Sequence, residues 1–369
     1  MLFIEKKLKL AIERTTSIPF DGVPFDKDKY LKETSRLKIL KKYLHKYLFL
    51  FLNKQFSLQT KFIPPNTKCL WLYTGKRNIG DAIMDLSGRS LLKDHRVHVD
   101  LLTLPNLKEV FQEDDIFLNV YDNISDVENE QYDFIILSEF NHPSMRLKVR
   151  HFPKIKFACL FGFFYGPDRN QTLFSHHAIN QVFQLGFDKI KLSKIAKPYL
   201  NANINNQKIE PNSKPYIALS IGGIDPDRSY QHWVEFLHLL DNSLDSNTLH
   251  IKNIVLLGSA NGLESSQRIE KEQFNQIIIH NYVNQANILE SRHLISNARI
   301  LIACDGGLMH IGHTTKTPSI SLFRIQEPPE FRLTRSCHST PIQSTGDVSD
   351  ISPKTIWATL LGAFNHRNV

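Results

Sequence analysis

The stretch that most constrains the fold is residues 299–323, RILIACDGGLMHIGHTTKTPSISLF. Ile300, Leu301, Ile302 and Ala303 make an apolar run the length of a buried parallel strand. The run stops at Cys304-Asp305-Gly306-Gly307. Leu308, Ile311 and Thr315 then recur at helical spacing as far as Thr317-Pro318, and residues 319–323 begin another strand. Strand, Gly turn, short helix and strand specify a right-handed crossover in a parallel sheet. The turn falls at the carboxyl edge, where open α/β sheets bind ligands. Gly306 and Gly307 let a ligand approach the backbone, and the N–H groups of the first helical turn favour an anion such as a diphosphate. Asp305 and His310 flank the spot. The same pattern also suits a Gly-rich turn that only joins two strands.

The chain's 369 residues are enough for two ordinary domains. Cys69, Cys159, Cys304 and Cys337 are far apart in sequence, which suggests a reducing compartment without a disulfide framework or a zinc site. The first residues, with Glu5, Lys6, Lys7 and Lys9, do not read as an export signal. Residues 1–65 hold 14 Lys and Arg against 6 Asp and Glu, which accounts for the whole formal net charge of +8. Basic character therefore belongs to this segment and not to the body.

Residues 1–65 read as a basic amphipathic extension. Lys29, Lys32, Arg36, Lys38, Lys41, Lys42 and Lys46 interleave with Leu31, Leu37, Ile39, Leu40, Leu44, Leu48 and Phe51. Such a helix either lies on an anionic membrane surface or packs its apolar side on the body. No nucleic-acid-binding module follows it. Residues 66–195 alternate strands and helices as a first α/β domain, 196–215 form a polar, Asn-rich linker, and 216–350 form a second α/β domain. Residues 351–369 hold a final helix with Ile356, Leu360, Leu361 and Phe364 as its apolar stripe.

Asp81, just before a helix at the carboxyl end of the first strand of the body, is either a general base or an N-cap. Gly222, Gly223 and Arg228 end the first strand of the second domain. Backbone N–H groups with a guanidinium suit a diphosphate, although an ordinary surface loop would read the same way. Asp225-Pro226-Asp227 superficially resembles a metal-binding Asp-x-Asp, and His310 and His313 share a helical face without a third ligand in view. No G-x-G-x-x-G follows the first strand and no Walker sequence is present.

Three blocks in order resemble glycosyltransferase family 9, the lipopolysaccharide heptosyltransferases. They are residues 79–92, beginning Ile79-Gly80-Asp81-Ala82; residues 220–233, a strand, a loop with a basic residue and His-Trp; and Asp305-Gly306-Gly307-Leu308-Met309-His310. The resemblance covers about residues 68–364 and implies a GT-B fold, two Rossmann-like domains facing a cleft. In that fold the first domain takes the acceptor, the second takes the donor, and the final helix packs back on the first domain. By the resemblance, Asp81 is the base that activates an acceptor hydroxyl for inverting attack on ADP-heptose. Gly222, Gly223, Arg228, Asp305, Gly306, Gly307 and His310 serve the donor, with Glu264 at its ribose. No cofactor and no metal is implied. Lys76, Arg77, Arg146, Lys148 and Arg150 are candidates for the anionic lipopolysaccharide core acceptor, or else a solvated basic face. The expected location is cytoplasmic and peripheral on the anionic inner membrane through residues 1–65. Alternatives are another nucleotide-sugar in the same fold, or a non-catalytic sugar-nucleotide-binding scaffold. The chain departs from the family pattern at Gly306 (usually Ser or Thr), at Arg228 (usually Lys), at Ser87 (commonly Pro) and at Arg324-Ile325-Gln326-Glu327-Pro328 (usually a Gly-Pro-Thr loop).

Overall fold

The computed structural model describes residues 2–140, 142–201, 214–243 and 251–365. Most of the expected linker, 202–213, lies outside them. The chain divides into two units. One holds Met1–Ala202 with Glu330–Thr334, and the other holds Asn203–Pro329 with Arg335–Val369.

The first unit opens with helices α1 (Leu2–Thr16), α2 (Lys27–Glu33) and α3 (Arg36–Leu52). They are part of the unit and not an appendage to it. Ala11, Ile39, Tyr43 and Leu50 are buried, so α3 spends one apolar stripe on packing. The chain after α3 is tied down by backbone hydrogen bonds. Thr60 N donates to Phe157 O at 2.8 Å, and Ile63 N to Val182 O at 2.9 Å. The other side of α3 stays in solvent, with Leu37 and Leu52 each 74% exposed and Phe51 59% exposed. Arg36, Lys38, Lys41 and Lys42 are exposed on the same helix, which carries no acidic residue.

Strands β1 (Lys68–Leu72), β2 (His98–Leu102), β3 (Phe117–Tyr121), β4 (Phe134–Leu137) and β5 (Lys156–Cys159) form an all-parallel sheet in the order β3-β2-β1-β4-β5. Around it lie α4 (Ile79–Asp85), α5 (Pro105–Phe111), α6 (His142–His151), α7 (Gln171–Phe183) and α8 (Lys189–Ile195). The expected helix over 82–92 starts earlier and is interrupted, because α4 gives way to a 3-10 turn, Ser87–Leu92. That turn places Arg89 fully inside the unit, with Nη2 2.7 Å from Asp114 Oδ2 and Nε 3.1 Å from Oδ1. A bidentate geometry of this kind is what a buried guanidinium needs to offset its desolvation.

The second unit has β6 (Tyr216–Ser220), β7 (Asn253–Leu257), β8 (Ile278–Asn281), β9 (Ile300–Cys304), β10 (Ser319–Phe323) and β11 (Ser339–Gln343). All are parallel, in the order β11-β10-β9-β6-β7-β8. Every residue of β6, β7, β9 and β10 is buried, as expected of parallel strands covered on both faces. Its helices are α9 (Trp233–Ser243), α10 (Leu263–Lys271), α11 (Ile288–Asn297), α12 (Gly307–His313) and α13 (Pro353–Asn365). The sequence reading missed β11. Its STPIQ has no apolar run, and an edge strand tolerates Pro341. In α13, Ile356 and Leu360 join the core of this unit with Trp233, Phe236 and Leu237 of α9. The described apolar stripe of the final helix is thus spent in the second unit, whereas the family resemblance led to an expectation of packing on the first.

Candidate functional site

Each sheet reverses its strand order once, and the reversal places particular loops at its carboxyl edge. In the first unit the switch lies between β1 and β4, so the segment after β1 opens there. It leads into α4, whose N-cap is Asn78. Asp81 is the third residue of the helix and not its cap. Its Oδ2 accepts from Asn78 Nδ2 at 3.3 Å and its Oδ1 from Gln171 Nε2 at 3.2 Å. Two neutral amides aim the carboxylate without neutralising it, a suitable state for a proton acceptor.

Behind Asp81, Asp85 is buried and accepts from Lys76 Nζ at 2.7 Å and from Tyr73 Oη at 3.1 Å. Burial pushes the Asp85 carboxyl up, and Lys76 and Arg169 pull against it. Lys76 is therefore engaged inside the unit. Arg169 was not foreseen. It precedes α7, is 7% exposed, and has its guanidinium carbon 5.0 Å from the ring centres of both Phe164 and Phe174. Its Nε and Nη2 are buried without hydrogen-bond partners among the described residues. Pro167-Asp168-Arg169-Asn170 signals a helix start, but an aromatic cage is assembled only by folding.

The other acceptor candidates separate. Arg77, Arg146 and Arg150 are exposed. Lys148 is fully buried, with its Nζ on Gln55 Oε1, and burial lowers it to about 8. Its expected role toward a ligand is corrected. It docks the segment after α3 onto α6, because position 148 falls on the inner side of that helix.

In the second unit the switch lies between β6 and β9, and the loops after β6, β9 and β10 supply a connected set of side chains. Asp305 follows β9 and is buried, 3.4 Å from His310 Nε2 on α12. His310 Nδ1 is buried without a partner. Arg228, from the loop after β6, pairs with Glu327 from the loop after β10. Arg324 pairs with both Glu327 and Asp227. The Asp225-Pro226-Asp227 carboxylates are thus placed on guanidiniums, with Asp225 3.4 Å from Arg228 Nε. Burial and the adjacent Asp305 push the Glu327 carboxyl up to about 7, against the pull of Arg228 and Arg324. His313 is fully buried, and burial lowers it to about 3, so it is a neutral core residue.

The glycines divide by role. Gly222 has φ +82°, and a Cβ there would meet Gly262 Cα at 2.6 Å, so its space is filled by the chain's own loop. A Cβ at Gly223 would lie 2.6 Å from Ser229 Oγ. At Gly306 the nearest atom would be 3.8 Å away, and at Gly307 nothing lies within 4 Å, so the surface after β9 is open. Glu264 is on α10, exposed and paired with Arg268 at 2.6 Å, and it makes no described contact with the cluster. Arg324 and Glu327 were visible in sequence only as a departure from a loop pattern.

Residues 167–344 match the model of glycosyltransferase family 9 (heptosyltransferase). No curated protein sequence matches the chain. Among solved structures, the family 9 glycosyl transferase from Veillonella parvula DSM 2008 is 16% identical, with a TM-score of 0.63 over 82% of this chain and 100% of that one. The E. coli ADP-heptose lps heptosyltransferase II is 17% identical, with a TM-score of 0.59 over 81% of this chain and 99% of that one. The E. coli heptosyltransferase WaaC with ADP is 12% identical, with a TM-score of 0.56 over 80% and 98%. At these identities the likeness shows the fold, which matches the GT-B heptosyltransferase structures. Among the described residues no helix is long and apolar enough to cross a membrane.

Proposed function

From the match of residues 167–344 to the glycosyltransferase family 9 model, we propose that the chain is a heptosyltransferase that moves heptose from ADP-heptose to a lipopolysaccharide core acceptor with inversion. The observation that carries this reading is the second unit's switch-point cluster. Arg228 after β6 and Asp305-Gly306-Gly307 after β9 put a cation beside open backbone at the sheet edge where nucleotides bind. WaaC, a structural neighbour, is described with ADP and with ADP-2-deoxy-2-fluoro heptose, which supports an ADP-sugar donor.

In this mechanism Asp81 takes the proton of the acceptor hydroxyl as its oxygen attacks the anomeric carbon. The bond from that carbon to the diphosphate breaks and ADP leaves with the electron pair. Arg228 stabilises the charge that grows on the leaving diphosphate. Asn78 and Gln171 keep Asp81 aimed. Arg169, with unused N–H donors near Lys76 and Asp85, suits an acid group on the acceptor. The exposed Leu37, Leu48, Phe51 and Leu52 with their neighbouring lysines on α3 support residence on an anionic membrane surface.

The test is turnover by the full chain with ADP-heptose and a lipopolysaccharide core acceptor, against other nucleotide-sugars. Release of ADP that requires the acceptor supports the reading. Release of UDP or GDP from their own sugars instead would replace the donor. Binding of nucleotide-sugars without transfer to any acceptor would favour the scaffold.

A further inference from the structure

Two guanidiniums in the second unit converge on one oxygen. Arg324 Nη2 lies 3.1 Å from Glu327 Oε1, and Arg228 Nη2 contacts the same atom. They come from loops after different strands, β10 and β6. Glu327 is buried against Asp305, with which its carboxyl shares a hydrogen bond, and among the described residues no donor reaches its Oε2. Arg228 Nε and Arg324 Nε are also buried without hydrogen-bond partners, although Arg228 Nε is within ion-pair distance of Asp225. The two cations therefore hold unspent donors while both contact one Glu327 oxygen, with Asp225 and Asp227 as their other ion-pair partners.

The surrounding charge is unbalanced for a purely structural clamp. Glu327, Asp305, Asp225 and Asp227 are the carboxylates facing this pair, against Arg228 and Arg324, with His310 behind Asp305. A buried carboxylate beside another carboxylate is held at a cost that fewer negative neighbours would relieve. Arginine forks pair best with groups that present two oxygens each, which a diphosphate does and one carboxylate oxygen does not.

We propose that Arg228 and Arg324 form a two-guanidinium cradle for the donor's diphosphate, and that the Glu327 carboxylate occupies it until the diphosphate takes its place. Arg324 is then a donor-binding residue at the position where the family-like loop has no cation, and Glu327 sets the affinity by competing from within. The inference rests on the reading of the second unit as the donor-binding unit.

The experiment titrates ADP and, separately, inorganic pyrophosphate into the full chain by calorimetry at fixed salt. Wild type is compared with Arg324→Ala, Arg324→Lys and Glu327→Gln. Loss of Arg324 weakens both probes about tenfold, Arg324→Lys recovers part of this, and Glu327→Gln tightens both about fivefold. As pH rises through about 7, where Glu327 loses its proton, wild-type affinity falls relative to that of Glu327→Gln, the comparison with the variant cancelling the probes' own ionisation. If Arg324→Ala binds like wild type, or Glu327→Gln binds more weakly, Glu327 is a brace for Arg228 and the cradle is refuted. If wild type binds neither ADP nor pyrophosphate, the donor reading itself fails, an outcome distinct from a binding wild type with indifferent variants. Thermal unfolding of each variant identifies any loss that comes from misfolding.

Discussion

The two sheets place opposite chemistry at the same topological position. Both are parallel and both reverse once, at β1/β4 and at β6/β9. At the first, a carboxylate is held by two neutral amides and keeps its lone pairs available. At the second, guanidiniums are already paired with carboxylates from neighbouring loops. Topology chooses where a ligand can sit, because strand reversal splays the adjoining loops. Whether that place suits a proton acceptor or a diphosphate is decided by a few loop side chains. The amides leave Asp81 without an ion-pair partner in direct contact, whereas the ion network must be rearranged before it can take an anion.

The largest expected effect breaks the first half of this comparison. Asp81→Asn is close to isosteric, keeps one of the two amide contacts and removes the proposed base, so turnover falls about 10²- to 10⁴-fold. ADP affinity, measured by calorimetry on the same protein, stays within about twofold, since the proposed donor residues belong to the other unit. A comparable loss of ADP binding would show that Asp81 serves the donor instead.

Next in size is a structural contrast. Asp114→Ala leaves Arg89 charged and unpaired inside the first unit, and destabilises it by about 3–5 kcal/mol. Urea unfolding followed by circular dichroism then shows an early transition for the first unit ahead of the second. A single unshifted transition would mean that water or a rearranged side chain satisfies Arg89.

Acid should strain each unit through its most deeply buried histidine. Burial lowers His176 to about 4 and His313 to about 3. In the unfolded chain both take up a proton near pH 6.5, but in the fold they resist it. The stability they represent is therefore complete above about pH 6.5 and is lost as pH falls toward those lower values, on the order of 3 kcal/mol each. His176→Asn flattens the pH dependence of the first unit's unfolding midpoint between pH 7 and 4.5, and His313→Asn does so for the second. Identical slopes in wild type and variants would assign acid sensitivity to other groups.

The smallest effect separates two kinds of glycine within the second unit. Gly222→Ala meets both a positive φ and the Gly262 backbone, and costs about 1–3 kcal/mol in denaturant unfolding. Gly307→Ala has open space and changes stability by less than about 0.5 kcal/mol. Its methyl group nonetheless intrudes on a ligand lying over the turn, and ADP binding weakens about tenfold. Unchanged binding would place the diphosphate away from Gly307.

Sequence by itself determined the α/β class, the buried central strands and the loops after β6 and β9 that carry Arg228 and Asp305, because these depend on local periodicity and turn chemistry. It also located the basic segment at 1–65, but could not decide between packing and exposure. Tertiary structure did both at once, burying Ile39, Tyr43 and Leu50 and leaving Leu37, Phe51 and Leu52 in solvent. Position 148 was one of several basic residues on a helix until folding turned it inward onto Gln55. Asp81 read as a possible cap, but the helix begins two residues before it, at Ile79, with Asn78 as its cap. The cage around Arg169 and the convergence of Arg228 and Arg324 on Glu327 join residues far apart in the chain. Such contacts follow from which strands pair and which loops meet, and no local pattern carries that information.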